Sequence, residues 1–260
     1  MVSLIQVIIL SIVQGITEWL PISSSGHLVI IQNIFGFQNL SFDVFLHFSG
    51  ILAVLVIFWK DITRLLDIRK KENIRYILLL ILGIIPAGIV GFLFRHEIEG
   101  FFSSLFYLGI FFIISGILVY STRFFKKREK IEKREKEELS WFDSLFIGIF
   151  QAIAILPGIS RSGATISSGM FRGISKEKAV KFSFLMAIPV VLGAAVLELK
   201  DISVVNISYF LLIVSFILTF LVSLFTIKIL LKIIKTDKFY LFGIYNFILG
   251  ILVLIWSFFR

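Results

Sequence analysis

Six apolar runs dominate the chain, near residues 42–59, 76–94, 101–120, 182–199, 207–227 and 239–259. Each is long enough to cross a bilayer as a helix, which takes about 20 residues. None alternates apolar and polar side chains as a membrane strand must, so the spans are expected to be helical. The whole chain is 58% hydrophobic, with a mean hydropathy of +1.00 and 30 Phe among 260 residues. A soluble domain of this length needs far more polar surface, so an all-α integral membrane protein is expected. The apolar N-terminus lacks a basic leader and a small-residue cleavage site, so the first helix is expected to be retained. With no Cys there is no disulfide framework.

Two further apolar regions, 1–41 and 141–178, are interrupted by polar, proline-containing segments. The first interruption reads Gln14 to His27 and contains Glu18, Pro21, Ser23, Ser24, Ser25 and Gly26. The second, Gln151 to Gly163, aligns with it without a gap. Gln14 falls on Gln151, Ser23 on Ser160, Ser25 on Ser162 and Gly26 on Gly163. Each broken half is short for a span, so both regions are expected to be re-entrant helical hairpins. Non-helical backbone at membrane depth is tolerated only inside protein or against a wet cavity, which places the two tips in the interior.

The order is hairpin, three spans, linker, hairpin, three spans. The expected division is a first repeat at 1–120, a charged linker at 121–140 and a second repeat at 141–260. Phe45-Leu46 and Lys60-Asp61 in the first repeat resemble Phe184-Leu185 and Lys200-Asp201 in the second. An odd number of spans per repeat inserts the second copy upside down, giving an inverted-topology repeat with its site near the midplane. Lys60–Arg75, Arg123–Lys136 and Lys228–Lys238 carry six, eight and four Lys/Arg, whereas Arg95–Gly100 and Lys200–Asn206 carry one each. The positive-inside rule then makes the first three cytoplasmic and puts both termini outside. The linker mixes eight basic with five acidic residues and suits a solvated helix. The net charge of +9 is accounted for by such loops, and no basic face with interleaved aromatics suggests nucleic-acid binding.

Gln14 and Glu18, four apart, share a helix face, and an ionisable residue inside a membrane helix is a candidate for function. Ser23, Ser24, Ser25 and Gly26 precede a renewed helix, where serines cap and free amides make an anion site; small residues there can also simply pack. Arg161 in the second tip would be a buried guanidinium in need of a phosphate or carboxylate, and Thr165, one turn on, can add a hydroxyl. His27, one turn after Ser24, can exchange a proton with Ser24 or a phosphate oxygen. His47 is expected to pack between helices and His96 to be solvated. No His/Cys cluster has zinc spacing. A divalent cation, Mg²⁺ or Ca²⁺, could sit between Gln14, Glu18 and a substrate phosphate.

Gln14-x-x-x-Glu18, then Pro21-Ile22-Ser23-Ser24-Ser25-Gly26-His27, then Pro157-Gly158-Ile159-Ser160-Arg161-Ser162-Gly163-Ala164-Thr165 resembles the bacterial undecaprenyl-diphosphate phosphatase family linked to bacitracin resistance. The resemblance spans the whole chain. It implies hydrolysis of undecaprenyl diphosphate to the monophosphate, recycling the lipid carrier of peptidoglycan precursors at the inner (plasma) membrane. The family's acidic motif falls on Gln14 and Glu18, its Ser/His motif on Ser24 and His27, and its Arg motif on Ser160, Arg161 and Thr165. The first acidic position is often a second Glu, so Gln14 leaves Glu18 as the main base or ligand. The expected mechanism has Arg161, Thr165 and the amides of Ser25 and Gly26 holding phosphate while Ser24 attacks and Glu18 or His27 takes its proton. His27 as nucleophile is the variant, and a polyprenyl-phosphate flippase the rival function. Expected partners are the polyprenyl diphosphate, membrane lipids and a second copy of the chain as a homodimer, without nucleic acid.

Overall fold

Ser3 and Ser140 open the two hairpins in the same way. Ser3 accepts the amide of Gln6, whose side chain returns to the Ser3 backbone, and Ser140 does the same with Asp143. Both are capping boxes, each satisfying two backbone donors at a helix start. The two pairs are separated by the same 137 residues that relate Ser23 to Ser160, so the ungapped correspondence reaches back to the first turn of each hairpin.

The computed structural model describes residues 3–36, 39–132, 136, 138–198 and 207–259. It is all-α. In chain order the helices are α1 (Leu4–Thr17), α2 (Ser24–Phe35), α3 (Leu40–Ile57), α4 (Trp59–Leu65), α5 (Lys71–Leu93), α6 (Arg95–Phe102), α7 (Leu105–Glu132), α8 (Trp141–Ile153), α9 (Arg161–Phe171), α10 (Lys176–Glu198), α11 (Tyr209–Ile234) and α12 (Leu241–Ser257). Among the described residues, four helices are long and apolar enough to cross a membrane: α5, the first 20 residues of α7, Lys176–Val196 of α10, and α11. A fifth span forms if α3 and α4, bent by 77° at their junction, count as one. These make the chain a multi-pass membrane protein. At 17 residues, α12 is slightly shorter.

Two boundaries differ from the expected ones. The stretch 95–100 is not a loop but the short helix α6, and the third span begins only at Leu105. The charged linker is not separate from that span, because α7 continues through it to Glu132; alternating charges satisfy a solvated helix as well as apolar residues satisfy a buried one. The Lys200–Asn206 loop and the Lys200-Asp201 match lie outside the described residues.

The packing interleaves the two halves. Helix α1 lies on α11, while α8 lies on α5; α7 pairs with α12 and α3 with α10 and α11. Small residues let these backbones approach, as expected where no hydrophobic force drives helices together in lipid. At the α7–α12 crossing, a Cβ on Gly116 would lie 2.8 Å from the carbonyl oxygen of Gly243. The main core gathers Trp19, Ile51, Val54, Phe182, Phe184 and Met186, with Trp19, next to Glu18, packed edge-on against Phe184.

Candidate active site

Both tips are built alike. In the first, Ser23 caps α2: its Oγ accepts the amide of Gly26 (3.3 Å) and its carbonyl that of His27 (3.2 Å). In the second, Ser160 Oγ accepts the amide of Gly163 (3.0 Å) and its carbonyl that of Ala164 (2.8 Å). Each cap hydroxyl also lies near the serine two residues on, Ser25 at 3.4 Å and Ser162 at 3.2 Å. The tips part company at the cap itself. Ser23 has φ +66°, the only positive φ outside glycine among the described residues, whereas Ser160 is extended. Strain of this kind costs about 1–3 kcal/mol and persists only where the surroundings enforce it.

The tips touch. A Cβ on Gly26 would lie 3.1 Å from the Cα of Gly158, and Ser162 Oγ donates to the carbonyl of Leu20 (2.9 Å). Gly158 itself takes φ +98° and sits against the carbonyl of Leu108, where a side chain would collide at 2.8 Å. From α12, Asn246 Nδ2 donates to the carbonyl of Pro21 (2.8 Å) and to Ser115 Oγ (3.3 Å), and Ser115 in turn accepts the amide of Ser160 (3.1 Å). One asparagine therefore braces both tips.

Glu18 lies at the centre, 7% exposed and surrounded by donors. Arg161 Nη2 reaches its Oε1 from the other hairpin at 2.5 Å. On Oε2 converge Ser24 Oγ (2.5 Å), Gln14 Nε2 (3.2 Å) and His47 Nε2 (3.1 Å). Gln14 and Glu18 thus share a helix face and a hydrogen bond. The guanidinium of Arg161 also stands over the Trp19 ring, 5.4 Å from its centre. Three atoms here are buried without a partner: Oε1 of Gln14, Nε1 of Trp19 and Nη1 of Arg161. An unsatisfied buried donor on a guanidinium costs about 1–3 kcal/mol or more unless a ligand supplies the acceptor.

The remaining candidates stand at the edge. Thr165 Oγ1 donates back to the carbonyl of Arg161 (2.8 Å) and meets Ser183 Oγ at 2.6 Å. His27 directs Nδ1 to the carbonyl of Ser23 (2.7 Å) and Nε2 to the hydroxyl of Tyr245 (2.6 Å). His96 is exposed on α6.

Two residues of this centre were missed by sequence reasoning. His47, expected to pack, instead meets Glu18 while its Nδ1–H donates to the carbonyl of Asp43 (2.7 Å). Because a carbonyl only accepts, the proton of that bond belongs to Nδ1, and the contact with Glu18 needs a further proton between Nε2 and the carboxylate. Its signal was an Asp and a His four apart inside a span. Tyr245 had none, since a tyrosine in a membrane helix is unexceptional.

The donor set has room for a cation in one respect. Gln14 Oε1 is an unpartnered oxygen beside a carboxylate, and oxygen is the ligand atom that Mg²⁺ and Ca²⁺ take. Among the described residues no three His, Cys, Asp or Glu side chains gather as a metal site, so phosphate oxygens would have to complete the shell.

Fold and site together define a helical multi-pass membrane protein whose two hairpins meet at a buried hydroxyl–carboxylate–guanidinium centre. The family of bacitracin resistance protein BacA matches residues 7–252, and the chain belongs to that family. Among curated relatives, an undecaprenyl-diphosphatase from Carboxydothermus hydrogenoformans is 41% identical over 257 residues, covering 96% of each chain. One from Halothermothrix orenii is 39% identical with the same coverage, and one from Methanosphaera stadtmanae is 37% identical over 99% of each chain.

Proposed function

We propose that this chain hydrolyses undecaprenyl diphosphate to undecaprenyl phosphate and inorganic phosphate, returning the lipid carrier to peptidoglycan synthesis at a bacterial plasma membrane. The observation that carries the proposal is Ser24 Oγ placed 2.5 Å from Glu18 Oε2, with Arg161 on the other oxygen. Similarity to relatives named undecaprenyl-diphosphatase supports the same reading.

In the free site Arg161 neutralises Glu18. A terminal phosphate offers the guanidinium a second, doubly charged partner, and Nη1 is the donor with none. As Arg161 turns to the phosphate, Glu18 becomes more basic and takes the proton of Ser24. Ser24 Oγ then bonds to the terminal phosphorus while the bridging oxygen leaves with the lipid phosphate. Arg161 and the first-turn amide of Ser25 stabilise charge on the equatorial oxygens. Water next attacks the phosphoserine, giving inorganic phosphate and restoring the Ser24 hydroxyl. His27 handles protons in this second half, and its direct attack through a phosphohistidine is the variant to be tested. A divalent cation would be held by Oε1 of Gln14, the Glu18 carboxylate and diphosphate oxygens, and would offset charge on the diphosphate.

The proposed architecture is an inverted repeat, each half a re-entrant hairpin with three spans. The reciprocal packing of α1 on α11 and α8 on α5 supports it, as do the matched caps. The homodimer remains part of the proposal, and the mass of the protein in detergent tests it. A flippase would need an anion clamp but no nucleophile, and it leaves the Ser24–Glu18 contact without a purpose. The test of function is phosphate release from undecaprenyl diphosphate by purified protein in detergent, where transport cannot be scored. Turnover that Ser24→Ala abolishes is expected; none by the wild type would overturn the proposal.

A further inference from the structure

Between Leu241 and Ile255 of α12, only Tyr245 and Asn246 carry polar side-chain atoms. Both address the tips: Asn246 braces Pro21 and Ser115, and Tyr245 meets His27. The half-buried ring of His27 is held by two hydrogen bonds and two ring contacts. Nδ1 donates to the carbonyl of Ser23, which fixes the proton there and leaves Nε2 as the single basic atom of the neutral ring. The Tyr245 hydroxyl donates to that atom at 2.6 Å. Phe112 packs edge-on against the imidazole (5.5 Å, 85°), and Tyr245 lies parallel to it (5.7 Å, 5°).

We propose that Tyr245 is a positioning residue of the active site, which orients the imidazole of His27 by donating to Nε2, the atom that takes up a proton. Stacking alone needs no hydroxyl, since phenylalanine would stack equally well. The phenol makes one hydrogen bond in an otherwise apolar helix face, and it makes it to the basic nitrogen. At 43% exposed, Tyr245 lies at the border of the site, where a phosphate oxygen or the hydrolytic water can take its place at Nε2. With the hydroxyl removed, the Ser23 carbonyl still holds the proton on Nδ1, but Nε2 loses its anchor and the proton acceptor is less firmly aimed. The inference rests on the reading of His27 as the residue that handles protons.

Tyr245→Phe keeps the ring and removes only the hydroxyl. We expect kcat to fall roughly tenfold with KM for undecaprenyl diphosphate and thermal stability unchanged, the loss of one oriented hydrogen bond in proton transfer. The deciding comparison adds the same change to His27→Ala, where a positioning role predicts no further loss. An undiminished kcat in Tyr245→Phe, or a loss that recurs in full beside His27→Ala, would overturn the inference. Wild-type turnover in His27→Ala alone would refute the assignment of His27 itself, and Tyr245 with it.

Discussion

Glu18 and Arg161 stand 143 residues apart in the chain and 2.5 Å apart in space, joining the tips of two hairpins across the protein interior. This ion pair makes the site a joint property of both halves, since Glu18 comes from the first hairpin and its guanidinium from the second. Breaking a buried pair by removing one partner strands the other charge, at about 3–5 kcal/mol. Phosphate is the partner that can separate the two without that penalty, because it replaces the carboxylate at Arg161.

Arg161→Lys tests the clamp. Lysine keeps the charge but loses the planar fork that reaches Glu18 with one nitrogen and leaves Nη1 for the substrate. Catalytic efficiency is expected to fall well beyond about tenfold. Near-normal turnover would mean that phosphate is bound as by a simple point charge.

His47→Phe removes one of the three groups on Glu18 Oε2, whereas His47→Gln can keep a donor there. A hydrogen bond to a charged group contributes about 1.5–3 kcal/mol, so turnover should drop roughly 10- to 100-fold in the phenylalanine variant and recover most of that with glutamine. Equal activity in both, measured as phosphate release, would return His47 to a packing role.

Gln14→Glu tests the cation. A second carboxylate beside Glu18 strengthens an oxygen site, so the Mg²⁺ concentration giving half-maximal phosphate release should fall by about tenfold. An unchanged titration would remove Gln14 from the ligands.

Much of this centre was legible in the sequence. The two Ser-x-Ser-Gly caps follow from the ungapped repeat, and the Gln14–Glu18 bond follows from helical spacing. What the sequence did not disclose depends on how separate helices meet. His47 reaches Glu18 only because α3 packs beside the first hairpin, and Tyr245 reaches His27 only because α12 comes against the first tip, where Asn246 also meets Pro21. Nor did composition reveal that α7 runs unbroken into the charged linker, because apolarity ends there while helicity does not.

The proposed inverted topology is open to thiol labelling, since the sequence contains no Cys. Single cysteines at Glu97, on α6, and at Lys235, at the end of α11, are both at exposed positions. A membrane-impermeant reagent on intact cells should label the first and spare the second. The reverse pattern would turn the whole arrangement over.

The proposed nucleophile, Ser24 facing Glu18, is identified by quenching the enzyme during turnover of substrate labelled in the terminal phosphate and assaying protein-bound label in acid and in base. Phosphoserine survives acid, whereas phosphohistidine is lost in acid and survives base. Acid-stable label in the wild type and in His27→Ala, absent from Ser24→Ala, is the predicted result. Label lost in acid, kept in base and missing from His27→Ala would contradict it.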